Sequence, residues 1–179
     1  MSLADTLDAV TTFVADNPEV ARSVPRADGE LVGPFEVLVT AGAHNVTIDE
    51  PATIGGGEAG PTPIETALVS LASCQAITYQ LWATKLGIAL DAVRVTIEAD
   101  YDARGLLGVD GYRRPGPDGV RVSVTLEGPD PSRFEQLRTA VDEHCPVLDL
   151  FNASVPVTTS LAGRFDRTRG LNAKCIGKS

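Results

Sequence analysis

Three cysteines, Cys74, Cys145 and Cys175, are the residues of this sequence best equipped for covalent chemistry. No two are close enough to form a Cys-x-x-C redox or zinc motif. Only two histidines, His44 and His144, accompany them, so a mixed His/Cys metal site is not expected. A cysteine acts as its thiolate, and the free thiol titrates near pH ~8.5. Chemistry at any of the three therefore needs a cation or a helix N-terminus close by.

Cys74 falls in the middle of an apolar helix, on a face with Ala67, Leu71, Thr78 and Leu81. By position alone it fits a small core hydrophobe, since free cysteine is among the most buried residue types. A nucleophilic role requires an arginine or a protonated histidine brought in from a distant segment or a partner chain. Cys145 stands in Glu143-His144-Cys145-Pro146-Val147. It either ends one helix or opens a short second one. In the second case it occupies an N-cap, where free N–H groups favour a thiolate. Otherwise it is a buried helix-end cysteine. Cys175 sits in a polar tail beside Lys174 and reads as an exposed, incidental thiol. His44 closes a turn. His144 precedes Cys145, but neighbouring residues on a helix point apart.

The elements that must position these residues follow from pattern. Leu3, Leu7, Val10 and Val14 recur at helical spacing over residues 3–17, with Ser2 and Asp5 as a capping pair. Residues 35–39 and 45–48 read as strands joined by a turn at 41–43, which makes a hairpin. A loop rich in Gly and Pro, 51–63, leads to a long helix over 63–86. Its start is marked by Thr62, Pro63 and Glu65, and its stop by Gly87. Apolar residues on most sides imply burial in a core or an interface. Residues 93–99 and 120–126 alternate as strands, separated by a long Gly/Pro loop. A helix over 132–144 and a last strand over 155–161 complete the order. Two strand groups around a buried helix indicate an α+β fold.

The composition restricts function further. A chain of 179 residues with 43% apolar and 22% charged residues fits one domain with a sizeable core. The net charge of −9 and the lack of clustered Lys and Arg argue against nucleic acid and against an anionic membrane surface. No apolar run reaches the ~20 residues of a bilayer span. The N-terminus has neither the basic start nor the apolar run of a secretory signal, so the expected location is the cytoplasm, where thiols stay reduced.

The run Gly60-Pro61-Thr62-Pro63-Ile64-Glu65 through Ser73-Cys74 resembles the signature helix of the OsmC/Ohr superfamily. Cys145-Pro146-Val147 resembles the later Cys-Pro of that family, about seventy residues on. Asp49-Glu50-Pro51 ahead of a Gly-rich loop is similar to the family's approach to the helix. The resemblance divides the chain into an N-terminal helical extension (1–34), an OsmC-like domain (35–162) and a tail (163–179). It implies an intertwined homodimer, with strands wrapped around central helices and active sites at the interface. It implies a thiol peroxidase, in which Cys74 attacks an organic hydroperoxide and Cys145 resolves the sulfenic acid to a disulfide. No cofactor is then needed beyond an external dithiol reductant, in this family often a lipoyl group.

The resemblance also implies an arginine that lowers the thiol pKa and a glutamate beside it. Arg22 and Arg26 are the arginines that precede the helix, and Arg26, next to the strand region, is preferred. Glu65 matches the glutamate. It lies nine residues before Cys74, about 13 Å along a helix and on another face, so it must act through an arginine or across an interface. Cys-Pro-Val in place of a more polar sequence resembles a less characterised branch of the superfamily. A competing reading is a non-catalytic OsmC-like dimer that holds a small apolar ligand or senses redox stress. A Cys–His hydrolase is weaker, because neither histidine has an orienting acid in evident reach.

Overall fold

The structure, a computed structural model, describes residues 1–111, 114–153 and 155–161. It is α+β, and the chain divides into two compact units. One joins Met1–Val24 to Pro61–Ala153, and the other is built on Pro25–Gly60. Among the described residues no helix is long and apolar enough to cross a membrane.

In the first unit, helix α1 (Leu3–Asp16) starts with the expected capping box, in which Ser2 Oγ accepts from the Asp5 N–H and Asp5 accepts from the Ser2 N–H. It buries no residue fully and leaves Leu3, Val10 and Phe13 about half exposed. Helix α2 (Pro63–Leu86) matches its predicted range, because both ends carry short-range signals. Thr62 and Glu65 form a reciprocal capping box, and Pro63 opens the first turn. Gly87 closes the helix at φ 63°, a conformation that suits a residue without Cβ. Arg133 then donates from Nη2 to the Leu86 carbonyl at 3.0 Å and sets a positive charge at the negative end of the helix dipole.

Strands β4 (Ala92–Asp100) and β5 (Gly119–Glu127) pair antiparallel, from Ala92 opposite Glu127 to Asp100 opposite Gly119. Alternate β4 residues are half-buried, as a period of two requires. Helices α3 (Phe134–His144) and α4 (Pro146–Asn152) follow, with Cys145 between them. The core gathers Tyr79 and Ala83 of α2, Ile88, Leu137 and Val141 of α3, and Cys145. Leu137 and Val141 are fully enclosed. Only one stripe of α2 is covered in the single chain, since Val69 and Ile77 stay 59% and 67% exposed.

In the second unit, β2 (Val37–Ala41) pairs with β3 (His44–Ile48) across a tight turn, where Gly42 adopts φ 60°. An unexpected strand, β1 (Ala27–Leu31), pairs with β2 from Ala27 opposite Ala41 to Leu31 opposite Val37. The predicted extension 1–34 is therefore not helical throughout, and its last residues complete a sheet. Their sequence, Ala-Asp-Gly-Glu-Leu, has no apolar alternation, so β2's open edge dictates the pairing. Asp49 anchors the loop after β3. Its buried carboxylate accepts from the N–H groups of Glu50, Gly57 and Ala59. These bonds, led by that from Ala59, hold its pKa below the usual carboxylate range against the cost of burial.

Residues 155–161 were expected to form a strand, and they form none. A strand needs a ladder partner, Pro156 has no N–H to give one, and Val157 and Leu161 are almost wholly exposed.

Candidate functional site

Cys74 stands midway along α2, partly buried against the core. Its carbonyl accepts a 2.8 Å bond from the Thr78 hydroxyl, which belongs to the same buried stripe as Leu71, Gln75, Tyr79 and Ala83. Packing of Leu137 and Val141 against Tyr79 and Ala83 lays α3 on α2 and brings the end of α3 to the middle of α2. Pro146 cannot continue α3 but suits the first turn of α4, so the chain breaks at Cys145. Of the two alternatives open in the sequence, Cys145 does both: its N–H ends α3 on the Val141 carbonyl at 2.9 Å, and its carbonyl begins α4.

These elements put the two sulfurs 3.4 Å apart, with the Cys145 thiol as donor to Cys74 Sγ. The sites differ in access. Cys145 is 2% exposed, whereas Cys74 is partly open. Burial pushes the Cys145 thiol above its ordinary pKa, and the neighbouring Cys74 adds to the rise. The N–H groups of Leu148 and Val147 pull the other way without closing a capping bond, and they do not prevail. A pair of this kind can hold a proton on one sulfur and point it at the other. It can also form a disulfide after a small displacement.

The remaining predicted residues are placed as follows. Glu65 is exposed at the start of α2, where it accepts from the Thr62 N–H at 2.8 Å and from the Thr62 hydroxyl at 3.0 Å. Those bonds, the backbone one foremost, hold its pKa low. Arg26 grips Asp28 with Nε and Nη2, and both side chains are largely exposed. Hydrogen bonding to Asp28 raises the Arg26 pKa and lowers that of Asp28. Arg22 is exposed after the short turn Pro18–Ala21. His144 has its Nδ1 2.8 Å from the Ala140 carbonyl and its ring 4.1 Å from that of Trp82. His44 is exposed at the start of β3. Cys175 lies outside the described residues. Among the described residues no group of three or more His, Cys, Asp or Glu side chains is placed to hold a metal ion.

Sequence reasoning missed a second group beside the thiols. A cavity of about 450 Å³ opens between α2, β5, α3 and α4. Gln75 and Tyr79 line it from α2, and Glu135, Arg138 and Asp142 from α3. Arg138 bridges both acids, meeting Glu135 at 2.5 Å and Asp142 one turn on. Burial, followed by the charge of Asp142, raises the Tyr79 pKa. The available signals were an amide on a mostly apolar helix and an acid–arginine–acid spacing of three and four on α3.

The OsmC-like protein family model matches residues 55–160. No curated protein matches the chain. Among solved structures, the OsmC like protein from Mycoplasma pneumoniae is similar at 17% identity and TM-score 0.62, over 73% of this chain and 88% of that one. The organic hydroperoxide resistance protein OsmC from Legionella pneumophila is similar at 20% identity and TM-score 0.56, over 72% and 89%. OhrB of Bacillus subtilis, an organic hydroperoxide resistance protein, is 19% identical at TM-score 0.50, over 72% and 90%. At such identities the likeness establishes a shared fold.

Proposed function

The chain belongs to the OsmC-like protein family, and from that premise we propose that it is a thiol-dependent peroxidase acting on organic hydroperoxides. The observation that carries this reading is the 3.4 Å approach of one partly open and one buried sulfur. The names of the Legionella and Bacillus proteins point to the same substrate class.

Cys74, the reachable sulfur, attacks the peroxide as its thiolate. The S–O bond forms as the O–O bond breaks, which oxidises sulfur to a sulfenic acid and releases an alkoxide that takes a proton to become the alcohol. Cys145 then attacks the sulfenic sulfur. The hydroxyl leaves with the Cys145 proton as water, and a Cys74–Cys145 disulfide remains. An external dithiol, such as a dihydrolipoyl group, reduces the bridge by exchange and leaves as its own disulfide. Arg26 supplies the cation that favours the Cys74 thiolate, with Glu65 as its orienting acid. In that role each gives up its present partner, Asp28 or Thr62. Arg22 is the competing arginine.

The same reading includes a homodimer. Apolar side chains left uncovered on several elements, among them Val69 and Ile77 of α2 and Phe151 of α4, support it. A two-stranded sheet and a three-stranded sheet with open edges also suit completion by a second copy.

The test is turnover of cumene hydroperoxide with dihydrolipoamide by the purified protein. Wild type is expected to turn over. Cys74→Ser is expected to lose all activity, and Cys145→Ser to stop at a sulfenic acid that dimedone traps. Of Arg26→Ala and Arg22→Ala, the first is expected to lower the rate more. Full turnover by Cys74→Ser would refute the proposal.

A further inference from the structure

Adjacent residues at the α3–α4 junction meet helix α2 at two separate points. Cys145 meets it at Cys74, with 3.4 Å between the sulfurs. His144 meets it at Trp82, with the ring centroids 4.1 Å apart and the planes inclined by 41°. Cys74, Thr78 and Trp82 recur at intervals of four, so they share one side of α2, and Trp82 lies about 12 Å beyond Cys74 along the axis. A single point of contact leaves a helix end free to pivot. Two points that far apart fix its orientation as well as its distance.

The second contact is prepared on both helices. On α3, His144 Nδ1 is 2.8 Å from the Ala140 carbonyl. A carbonyl only accepts, so Nδ1 carries the proton and donates, which sets the ring against its own helix. On α2, Trp82 packs against the core cluster, and Lys85 Nζ lies 5.3 Å from the centroid of its ring. The core contact between α3 and α2, made by Leu137 and Val141, is complete without the exposed His144 ring. That ring is placed instead to govern its neighbour. Cys145 follows it directly, and Pro146 restricts Cys145 to an extended backbone, φ −80° and ψ 109°. A turn of His144 is therefore passed on to the Cys145 sulfur.

We infer that His144 and Trp82 are positioning residues for the thiol pair, and that their stack sets the orientation in which the junction holds the Cys145 sulfur against Cys74. The inference deepens the peroxidase proposal and rests on it for the purpose that the bridge serves. Without the ring contact the reduced junction pivots among several orientations, whereas the bridge admits one. A pair of stacked rings is worth about 3- to 10-fold in an equilibrium, and that factor falls on the effective concentration of Cys145 at Cys74.

Equilibration of the full-length protein with reduced and oxidised glutathione measures that effective concentration. It uses no peroxide, so this inference and the peroxidase proposal fail separately. His144→Ala and His144→Asn are both expected to lower it by about 3- to 10-fold. The asparagine keeps a donor for the Ala140 carbonyl and lacks the ring. His144→Phe has the ring without the donor and is expected to stay within about 2-fold of the wild type. Because His144 is exposed, all three variants keep the core, and a cooperative urea transition checks this. An unchanged value in the alanine and asparagine variants overturns the inference. So does a phenylalanine variant as low as the alanine one, or an asparagine variant equal to the wild type, since either would make the Ala140 bond, and not the stack, the feature that holds the junction.

Discussion

Oxidation of the Cys74–Cys145 pair has a calculable effect on stability. The sulfurs are 3.4 Å apart, and a disulfide needs ~2.05 Å, so bridging asks for a movement of about 1.4 Å. That is small enough for side-chain rotation to supply with α2, α3 and α4 in place. The bridge would join residues 71 positions apart. In the chain-entropy treatment, a loop of that length restricts the unfolded chain by about 4.4 kcal/mol at 25 °C. Because the sulfurs are already adjacent in the fold, little native-state strain offsets this. At roughly 2–4 °C per kcal/mol for a chain of this size, Tm rises by roughly 9–18 °C.

The assay is urea and thermal unfolding of the protein after one equivalent of cumene hydroperoxide, against the same protein held in dithiothreitol. Peptide mapping identifies the bridge, and Cys145→Ser serves as the control that shows no peroxide-dependent gain. An oxidised form less than about 1 kcal/mol more stable than the reduced form, with the bridge mapped, would refute the reasoning. It would mean that forming the bond disrupts the packing that brought the sulfurs together.

Leu137, fully enclosed between α2 and α3, should lose about 2–5 kcal/mol on Leu137→Ala in urea unfolding, with both cysteines becoming faster to alkylate. Thr62→Ala removes the α2 cap and should cost about 1 kcal/mol; unchanged turnover alongside that loss would show that Glu65 does its work without the capping box. A Cβ on Gly56 would lie 1.8 Å from the Glu50 carbonyl oxygen, so Gly56→Ala should destabilise the loop that Asp49 anchors by on the order of 3 kcal/mol, seen as a lower Tm. The raised Cys145 pKa means that the native state keeps that proton longer than the unfolded chain does. Its contribution to the stability of the reduced protein is therefore complete below pH ~8.5 and lost as pH climbs through the folded value, and Cys145→Ser should flatten that alkaline limb in urea unfolding at pH 7–10.

What could be read from the sequence tracks the range of the interactions involved. Helix α2 was legible at both ends because Thr62, Pro63, Glu65 and Gly87 act within one turn of their own backbone. Strands β4 and β5 were legible because alternation is a local record of a half-buried face. Strand β1 was not, because nothing in Ala27–Leu31 alternates and its partner is β2. The strand expected over 155–161 fails for the converse reason: its residues have the right propensity, and among the described residues no ladder forms with them. Cys145 was legible as a helix junction through Pro146. Its distance from Cys74 was not, since that depends on Leu137 and Val141 meeting Tyr79 and Ala83. Gln75 was overlooked because a single amide on a mostly apolar helix is a weak local signal. That its nitrogen lacks a partner is visible only once the fold surrounds it.

The contrast between the two thiols follows from where the chain breaks. A cysteine in mid-helix, such as Cys74, has its own N–H and carbonyl committed to the helix, so the groups that tune its sulfur must come from elsewhere. Cys145 sits at a junction enclosed by the packing of α3 on α2, and there burial outweighs the pull of two first-turn N–H groups. One sulfur is thus enclosed and holds its proton, and the other is the one that an incoming molecule can reach. A substitution that opens the core over Cys145, with Cys74 untouched, should therefore erode the difference between the two. With Leu148→Ala, which uncovers the α4 side of the junction, the rate at which Cys145 reacts with iodoacetamide at pH 8, relative to that of Cys74, should rise above the wild-type ratio. An unchanged ratio of rates would mean that burial is not what separates them.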